Sequence, residues 1–520
     1  MALRSLVPFL CALLLVVLRG ASPAVAQTAA SPAPSASPSA SPSASPSAFP
    51  SAQPSTSPGL PAVSPTAAPS ASAVPSLPPA GVIPSGVSVD LGGTVSPQFA
   101  LARITGAIAR RAASQPGTSL AVSGITIANV LHEGDELEAL AQVSIGGTPA
   151  FAGVSGTTAV HLRVLTLPQL EPAFLFYSDD PERLTAGDDG VLYHSTIDVG
   201  KPARVYAYHV SDVAGRRLFL ALRATGAPAR VQLLGYAAGP ANAFAYVGHV
   251  STLQYLLERS TQESVIVPID ASAPYLHQLG YRPLGVGELV AAIYDLRELE
   301  GDPVDVDVIA VSGAEDPVTL LGGPELPGDG HGRRGEFSLQ ALPAIALRYA
   351  VGGPEPSPLS AGDDTIPNLR PGGRPLRGDY GVLLDVGLQL SNPQASAQDA
   401  YLYEQSISGT ATTTIWFTGD ARPIEIPCLR DPSNRYLVKT FSLAAGQTMN
   451  VTGEFMTDGT ASLPIEFGLT AVPPSPPPGP YSPDACNPRP LPSPSPLPSA
   501  TPSTQPPAVP SAAPVPSLSP

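Results

Sequence analysis

The chain is short of the residues and motifs that announce chemistry. Its 520 residues include three cysteines and one tryptophan. Cys11 falls inside the leading apolar run, so Cys428 and Cys486 are the pair left to a mature chain. An even pair of thiols in a secreted protein reads as one disulfide. No His or Cys stands at ligand spacing around either, which argues against a thiolate metal site. A serine nucleophile calls for a pattern such as G-x-S-x-G on a strand-to-helix turn, and phosphate loops and dinucleotide fingerprints need their glycine runs; none occurs in a suitable context. No catalytic residue, cofactor or metal is therefore assigned. Positive charge is scarce as well: 27 Lys and Arg against 42 Asp and Glu leave a formal charge of −15. Such a surface repels phosphate backbones and anionic membranes, so nucleic acid is not an expected partner.

Long apolar runs are also missing, with one exception at the start. Arg4 precedes an apolar run from Leu6 to Leu18, and Ala24-Val25-Ala26 stand before Gln27. That order reads as a secretory signal peptide over residues 1–26, cut after Ala26. The run falls short of the roughly 20 apolar residues of a spanning helix, so no integral membrane segment is expected after cleavage. The implied location is secreted, extracellular or cell-surface.

Residues 27–86 are rich in SPSASPSA-like units that cannot bury enough surface to offset their conformational entropy. They read as a disordered Pro/Ser/Ala linker biased to extended polyproline, and the Pro-rich tail at 473–520 reads the same way. The region between them carries the fold. Residues 87–168 predict a small α+β domain, with Ser96-Pro97 starting a helix that places Leu101, Ile104 and Ile108 on one face. Strand-like runs follow at 119–128, 136–145 and 158–167. Beyond Pro168 short alternating strands take over, as in VDVDVIAV at 304–311. Two immunoglobulin-like β-sandwiches in tandem are expected, at 169–321 and 338–472, with a Gly-rich joint at 322–337. The mainly β chain reads as a duplication, because residues 289–311 line up with 449–472 and each half carries AGDD, at 186–189 and 361–364.

Candidate site residues are few, and each has a plain structural reading. Asp179, Asp180, Asp188 and Asp189 offer oxygens for calcium, but the second copy keeps only Asp363 and Asp364, and a turn explains AGDD better. His194 and His209, expected to face each other across a hairpin near Gly200, lack a third zinc ligand. Asp305 and Asp307 point the same way beside Glu298 and Glu300, which suits an acidic face rather than the facing carboxylates of a glycosidase. His331, Arg333, Arg334 and Glu336 crowd a glycine-rich segment that reads as a flexible linker. Trp416 most simply fills the second core. The chain thus reads as a non-enzymatic surface or matrix protein whose sandwiches bind an extracellular protein or polysaccharide. An accessory carbohydrate-binding protein and a secreted hydrolase are the alternatives. A surface aromatic row favours sugar binding; a deep cleft lined by facing carboxylates favours the enzyme.

Overall fold

The computed structural model describes residues 77–477, apart from 331, 341, 343, 430 and 431. Residues 1–76, which include the stretch read as a signal peptide and most of that read as a linker, and residues 478–520, with Cys486, lie outside the described residues.

The first ordered unit begins with β1 (Gly86–Gly92) and α1 (Pro97–Arg111). Ser96 caps the helix, its Oγ accepting from the Phe99 N–H at 3.3 Å while it donates to Glu263 Oε1 at 2.7 Å. A cap of this kind is worth about 1 kcal/mol. Ile104 and Ile108 are buried as read from sequence, but Ala100 takes the place expected of Leu101, which is only half-buried, and Arg110 and Arg111 close the last turn. Three strands complete the unit: β2 (Leu120–Ser123), β3 (Glu136–Ile145) and β4 (Val154–Leu165). The chain is already ordered ahead of residue 87, since Gly81–Val82 pair with Ala113–Ser114.

The first sandwich follows with β5 (Phe174–Ser178), β6 (Gly190–Ile197), β7 (Ala203–Ser211), β8 (Arg216–Ala224), β9 (Ala229–Ala241), α2 (Phe244–Thr261), β10 (Ser264–Ile269), β11 (Tyr275–Leu284), β12 (Glu288–Glu300) and β13 (Val304–Ser312). One of its sheets runs β5-β7-β12-β9-β10 and the other β6-β13-β8-β11. The former does not stop at β10. Antiparallel pairing of Val265 with Leu91 joins β10 to β1, so the sheet continues through β1, β4, β3 and β2. The α+β unit and the first sandwich therefore share one sheet.

After β14 (Arg334–Ser338), which pairs with β5, the second sandwich uses β15 (Ile345–Ala350), β16 (Leu359–Ala361), β17 (Leu383–Ser391), β18 (Gln398–Ser406), β19 (Ala411–Phe417), β20 (Ile424–Leu429), β21 (Tyr436–Leu443), β22 (Thr448–Thr457) and β23 (Ile465–Thr470). Its sheets run β15-β17-β22-β19-β20 and β16-β23-β18-β21. Each strand has its counterpart ten labels earlier, in the same place and the same direction, including a parallel edge pair in each copy, β5 with β7 and β15 with β17. The connectivity is that of a jelly roll, two Greek keys wrapped into facing sheets, and it occurs twice. Val304, Val306, Val308 and Ala310 line the first core as Ile465, Phe467 and Leu469 line the second.

AGDD is not the mark of this repeat. The first copy of it leads into β6, whereas the second begins on the last residue of β16. Ile197 and Ala361 are the equivalent ends, since they pair with Val304 and Ile465 respectively. The two stretches therefore sit at opposite ends of equivalent strands. The Gly-rich joint is likewise no free linker, because β14 pairs along β5 and Asp329 Oδ2 accepts from the Glu182 N–H at 2.9 Å.

Helix α2 occupies the β9–β10 connection, which in the second copy is the short turn between β19 and β20. It lies across the face of the first sandwich's long sheet, against β9 and β12, rather than over an edge, and its other side meets β19. One apolar cluster accordingly includes Val247, Tyr255 and Leu256 of α2, Ala291 and Ile293 of β12, and the interior of the second sandwich. Polar struts cross the same layer. Buried Arg204 donates through Nε to Asp295 Oδ1 at 2.8 Å and through Nη1 to the Gly381 carbonyl at 3.0 Å, while Tyr255 donates to Asp295 Oδ2 at 2.8 Å. His249 joins Asp458 and Glu425 of the second sandwich, each at 2.7 Å.

Candidate functional site

The structure disperses most of the residue groups that the sequence brings to notice. His194 and His209 do not face each other, because β6 and β7 belong to opposite sheets. His194 Nδ1 meets Asp307 Oδ1 at 2.7 Å. His209 is buried between Ser178 Oγ at 2.9 Å and the Pro181 carbonyl at 2.8 Å. Bonding of Nδ1–H to that carbonyl makes Nε2 the acceptor for the serine hydroxyl, and burial holds the ring neutral with a pKa lowered to about 4. The geometry is that of a nucleophile and its base, yet both residues are fully shielded from solvent.

Asp305 is engaged by Arg223 at 2.8 Å, and Asp307 is fully buried beneath His194. The expected acidic face is therefore largely neutralised. Glu300 pairs with Arg230 at 3.1 Å, and Glu298 is buried. Arg334 donates to the Leu192 and Leu326 carbonyls, and Glu336 pairs with Lys201 at 2.8 Å; His331 lies outside the described residues. Cys428, in β20, is buried.

The AGDD at 186–189 is a turn. Asp188 Oδ2 accepts from the Thr185 N–H and hydroxyl at 2.5 and 2.7 Å, and Asp189 accepts from Ser312 Oγ at 2.9 Å. No cluster of three or more His, Cys, Asp or Glu suited to a metal ion occurs among the described residues. Two aspartates from different copies nevertheless meet. Asp179, at the end of β5, and Asp363 line one cleft of about 610 Å³ between the sandwiches, with Tyr177, Arg333, Arg377 and Tyr380. Asp179 Oδ1 is shielded from solvent and has no hydrogen-bond partner among the described residues. Burial, followed by the charges of Glu182, Asp329 and Asp180, pushes its carboxyl well above the usual range.

Aromatic side chains mark two further surfaces. Trp416 does not point into the second core, which Ile415 and Phe417 fill from the same strand. It lies half-buried on the outer face, its Nε1–H fixed on the Asp420 carbonyl at 3.0 Å. Glu454 and Asp385 follow it across β22 and β17, so an indole and two carboxylates form one cross-strand row in a groove of about 340 Å³.

The other surface is a hollow of about 240 Å³ ringed by Tyr236, Tyr246 and Tyr281, floored by the 237–241 stretch of β9 and by Val247 and Val250 of α2. Tyr281 is 76% exposed and Tyr246 37%. Three tyrosine rings gathered around one apolar hollow make a contiguous surface rather than singly exposed side chains. Tyr236 and Tyr281 each follow a glycine with positive φ, Gly235 at 138° and Gly280 at 82°. At Gly235 a Cβ would lie 2.1 Å from the Ile293 carbonyl oxygen, so only glycine fits. These glycines redirect the strand and aim the following tyrosine. The Gly-Tyr pairs were legible in the sequence, but nothing there places α2 and Tyr246 beside them.

No protein-family model matches the chain, and no curated protein matches it. Solved structures resemble it distantly. Lac15 from a marine microbial metagenome is 10% identical with a TM-score of 0.12, over 63% of this chain and 73% of that one. The M60 catalytic domain with the CBM51-1 and CBM51-2 domains of Clostridium perfringens ZmpB is 6% identical with a TM-score of 0.15, over 70% and 47%. The CBM22-1-CBM22-2 tandem domain of Paenibacillus barcinonensis Xyn10C is 9% identical with a TM-score of 0.11, over 69% and 85%. Similarity at this level carries no argument about function.

Proposed function

We propose that the chain is a secreted, non-enzymatic protein that binds polysaccharide, with the tyrosine-ringed hollow as its principal contact surface. The observation that carries this reading is the exposure of Tyr281 and Tyr246 around an apolar floor. Pyranose rings present patches of C–H bonds with hydroxyls around them. An aromatic ring with a polar tip matches that pattern, burying the apolar patch while its hydroxyl stays hydrogen-bonded. The surroundings supply orienting groups, since Arg282 and Glu288 form a two-pronged pair at 2.7 Å beside Tyr281. The Trp416 groove offers a second surface of the same chemistry, with Asp385 as an acceptor for hydroxyls beside Glu454, which is paired with Arg259 at 3.2 Å. Binding rather than catalysis is favoured because Asp305 and Asp307, the carboxylates considered for glycoside hydrolysis, are held by Arg223 and His194.

Screening the full chain on a glycan array, with Tyr281→Ala and Trp416→Ala variants alongside, tests the reading. A defined set of glycans that the wild type retains and Tyr281→Ala loses supports it. An array that stays blank for the wild type refutes it.

A further inference from the structure

The tyrosine-ringed hollow is uncharged from rim to floor. Its three tyrosines stand over alanine, glycine, proline and valine, with no ionised side chain among the lining residues. Tyr281 is held as a wall of it: its hydroxyl donates to the Pro240 carbonyl at 3.4 Å, and the Arg282 guanidinium lies 5.4 Å from its ring centroid. Fixed aromatic rings over an apolar floor also suit a proline-rich segment in the polyproline II conformation, which packs proline and leucine side chains between rings and leaves its own carbonyls free to accept. The chain carries such a sequence beyond the second sandwich. From residue 485 to residue 520 the one charged residue is Arg489. At three residues per turn, Pro488, Leu491, Pro494 and Leu497 of the stretch NPRPLPSPSPLP share one ridge. The other two ridges are broken by Arg489 and Ser495 and by Ser493, so this ridge is the wholly apolar one.

We propose that the ridge from Pro488 to Leu497 seats in the tyrosine-ringed hollow of its own molecule and competes there with glycan; the competition rests on the polysaccharide reading of the hollow, the contact does not. The length of chain allows it. Ser475 bridges to Tyr436 of the second sandwich, and residues 478–491 span about 43 Å in polyproline II, at about 3.1 Å per residue. A Cys428–Cys486 bond, expected from the sequence, shortens the path. Cys428 lies on β20 with Glu425, whose Oε2 meets His249 Nε2 at 2.7 Å, and Tyr246 precedes His249 on α2. The steps from Cys428 to Glu425 and from His249 to Tyr246 amount to about 10 Å and about 4.5 Å, while the segment from Cys486 to Leu491 covers about 15 Å. Tethering also favours this occupant over a free partner. At an effective concentration of about 1 mM, a segment with a dissociation constant of about 0.1 mM keeps the hollow about nine-tenths filled and weakens a competing glycan about tenfold.

Hydroxyl-radical footprinting read by mass spectrometry, on the full chain and on its Leu491→Ser, Leu497→Ser double variant with no glycan present, tests the contact. Tyr281 and Tyr246 should label at least about threefold faster in the variant, while Tyr401, on the second sandwich's other sheet, keeps its rate. Far-ultraviolet circular dichroism checks that the variant folds as the wild type does. With a glycan that the array retains, the variant should bind about tenfold more tightly than the wild type. Equal labelling of Tyr281 and Tyr246 in the two proteins overturns the proposal. So does protection in the wild type that grows with protein concentration, which assigns the hollow to the tail of a second copy. Faster labelling with unchanged glycan affinity overturns the competition. An array that stays blank removes the competitor and leaves the labelling result standing, so the two readings fail separately.

Discussion

Glu404 gives the second sandwich a pH dependence that the first lacks. It projects into the second core from β18, where it pairs with Phe467. The equivalent position in β8 pairs with Val306 and is Leu222. Glu404 is fully buried; Thr413 donates to Oε2 at 2.7 Å, and Oε1 has no partner among the described residues. Burial raises its pKa from 4.5 to about 8, with the nearby Asp458 charge adding to the effect. The folded state therefore keeps the proton that the unfolded chain releases above 4.5. Stability is highest below pH 4.5, falls as pH rises towards 8, and levels off beyond. At 1.36 kcal/mol for each tenfold change, the penalty at pH 7 is about 3 kcal/mol. Glu404→Gln retains an acceptor for Thr413 and removes the ionisation. Trp416 is the only tryptophan and belongs to the same sandwich, so its fluorescence during urea unfolding reports on this unit. Between pH 5 and pH 8 the wild type should lose about 3 kcal/mol more than Glu404→Gln. Equal losses in the two proteins would refute the argument.

Three other outcomes follow from the same packing. Burial opposes the charging of His249, but Asp458 and Glu425 outweigh it and hold the imidazole up at about 9. Its contribution should be fully present below pH 6.5 and vanish as pH passes 9, so melting of the second sandwich should fall more between pH 7 and 10 in the wild type than in His249→Gln. Asp295→Ala leaves the Arg204 guanidinium buried without its carboxylate and should cost about 3–5 kcal/mol in denaturant unfolding. A Cys428–Cys486 bond should contribute about 4 kcal/mol in the chain-entropy model. Cys428→Ser should then lower the melting temperature of the second sandwich and leave the first nearly untouched, whereas full alkylation of both thiols in the unreduced, denatured wild type would rule the bond out.

Local pattern carried the reading of elements well. Residues 136–145 form the expected strand, α1 begins at the proline that the Ser96-Pro97 cap marks, and the alternation of VDVDVIAV places its valines in a core. The duplication was visible in the strand pair at 289–311 and 449–472, where inward-facing side chains recur at the same spacing. AGDD misled because four turn-forming residues recur wherever a strand begins or ends, and such a match carries no register. Pairing across the chain is what sequence pattern lacks. Nothing local states that β10 would bond to β1 and fuse the α+β unit to the first sandwich, or that β6 and β7 would part into opposite sheets and separate His194 from His209. The candidate surfaces were hidden for the same reason. Tyr236, Tyr246 and Tyr281 come from a strand, a helix and another strand, and Trp416 reads as core until the alternation of β19 is fixed by Ile415 and Phe417 facing inward.

The central claim is that exposed tyrosines hold polysaccharide, and an affinity ratio tests it most directly. With a glycan retained on the array, equilibrium titration of the full-length wild type against Tyr281→Ala should show a loss of roughly tenfold, since withdrawing one aromatic face from a sugar costs about 1–2 kcal/mol. At 76% exposure Tyr281 contributes little to folding, so the variant should melt at the wild-type temperature. Unchanged affinity in Tyr281→Ala, and again in the Tyr246→Ala, Tyr281→Ala double variant, would contradict the account.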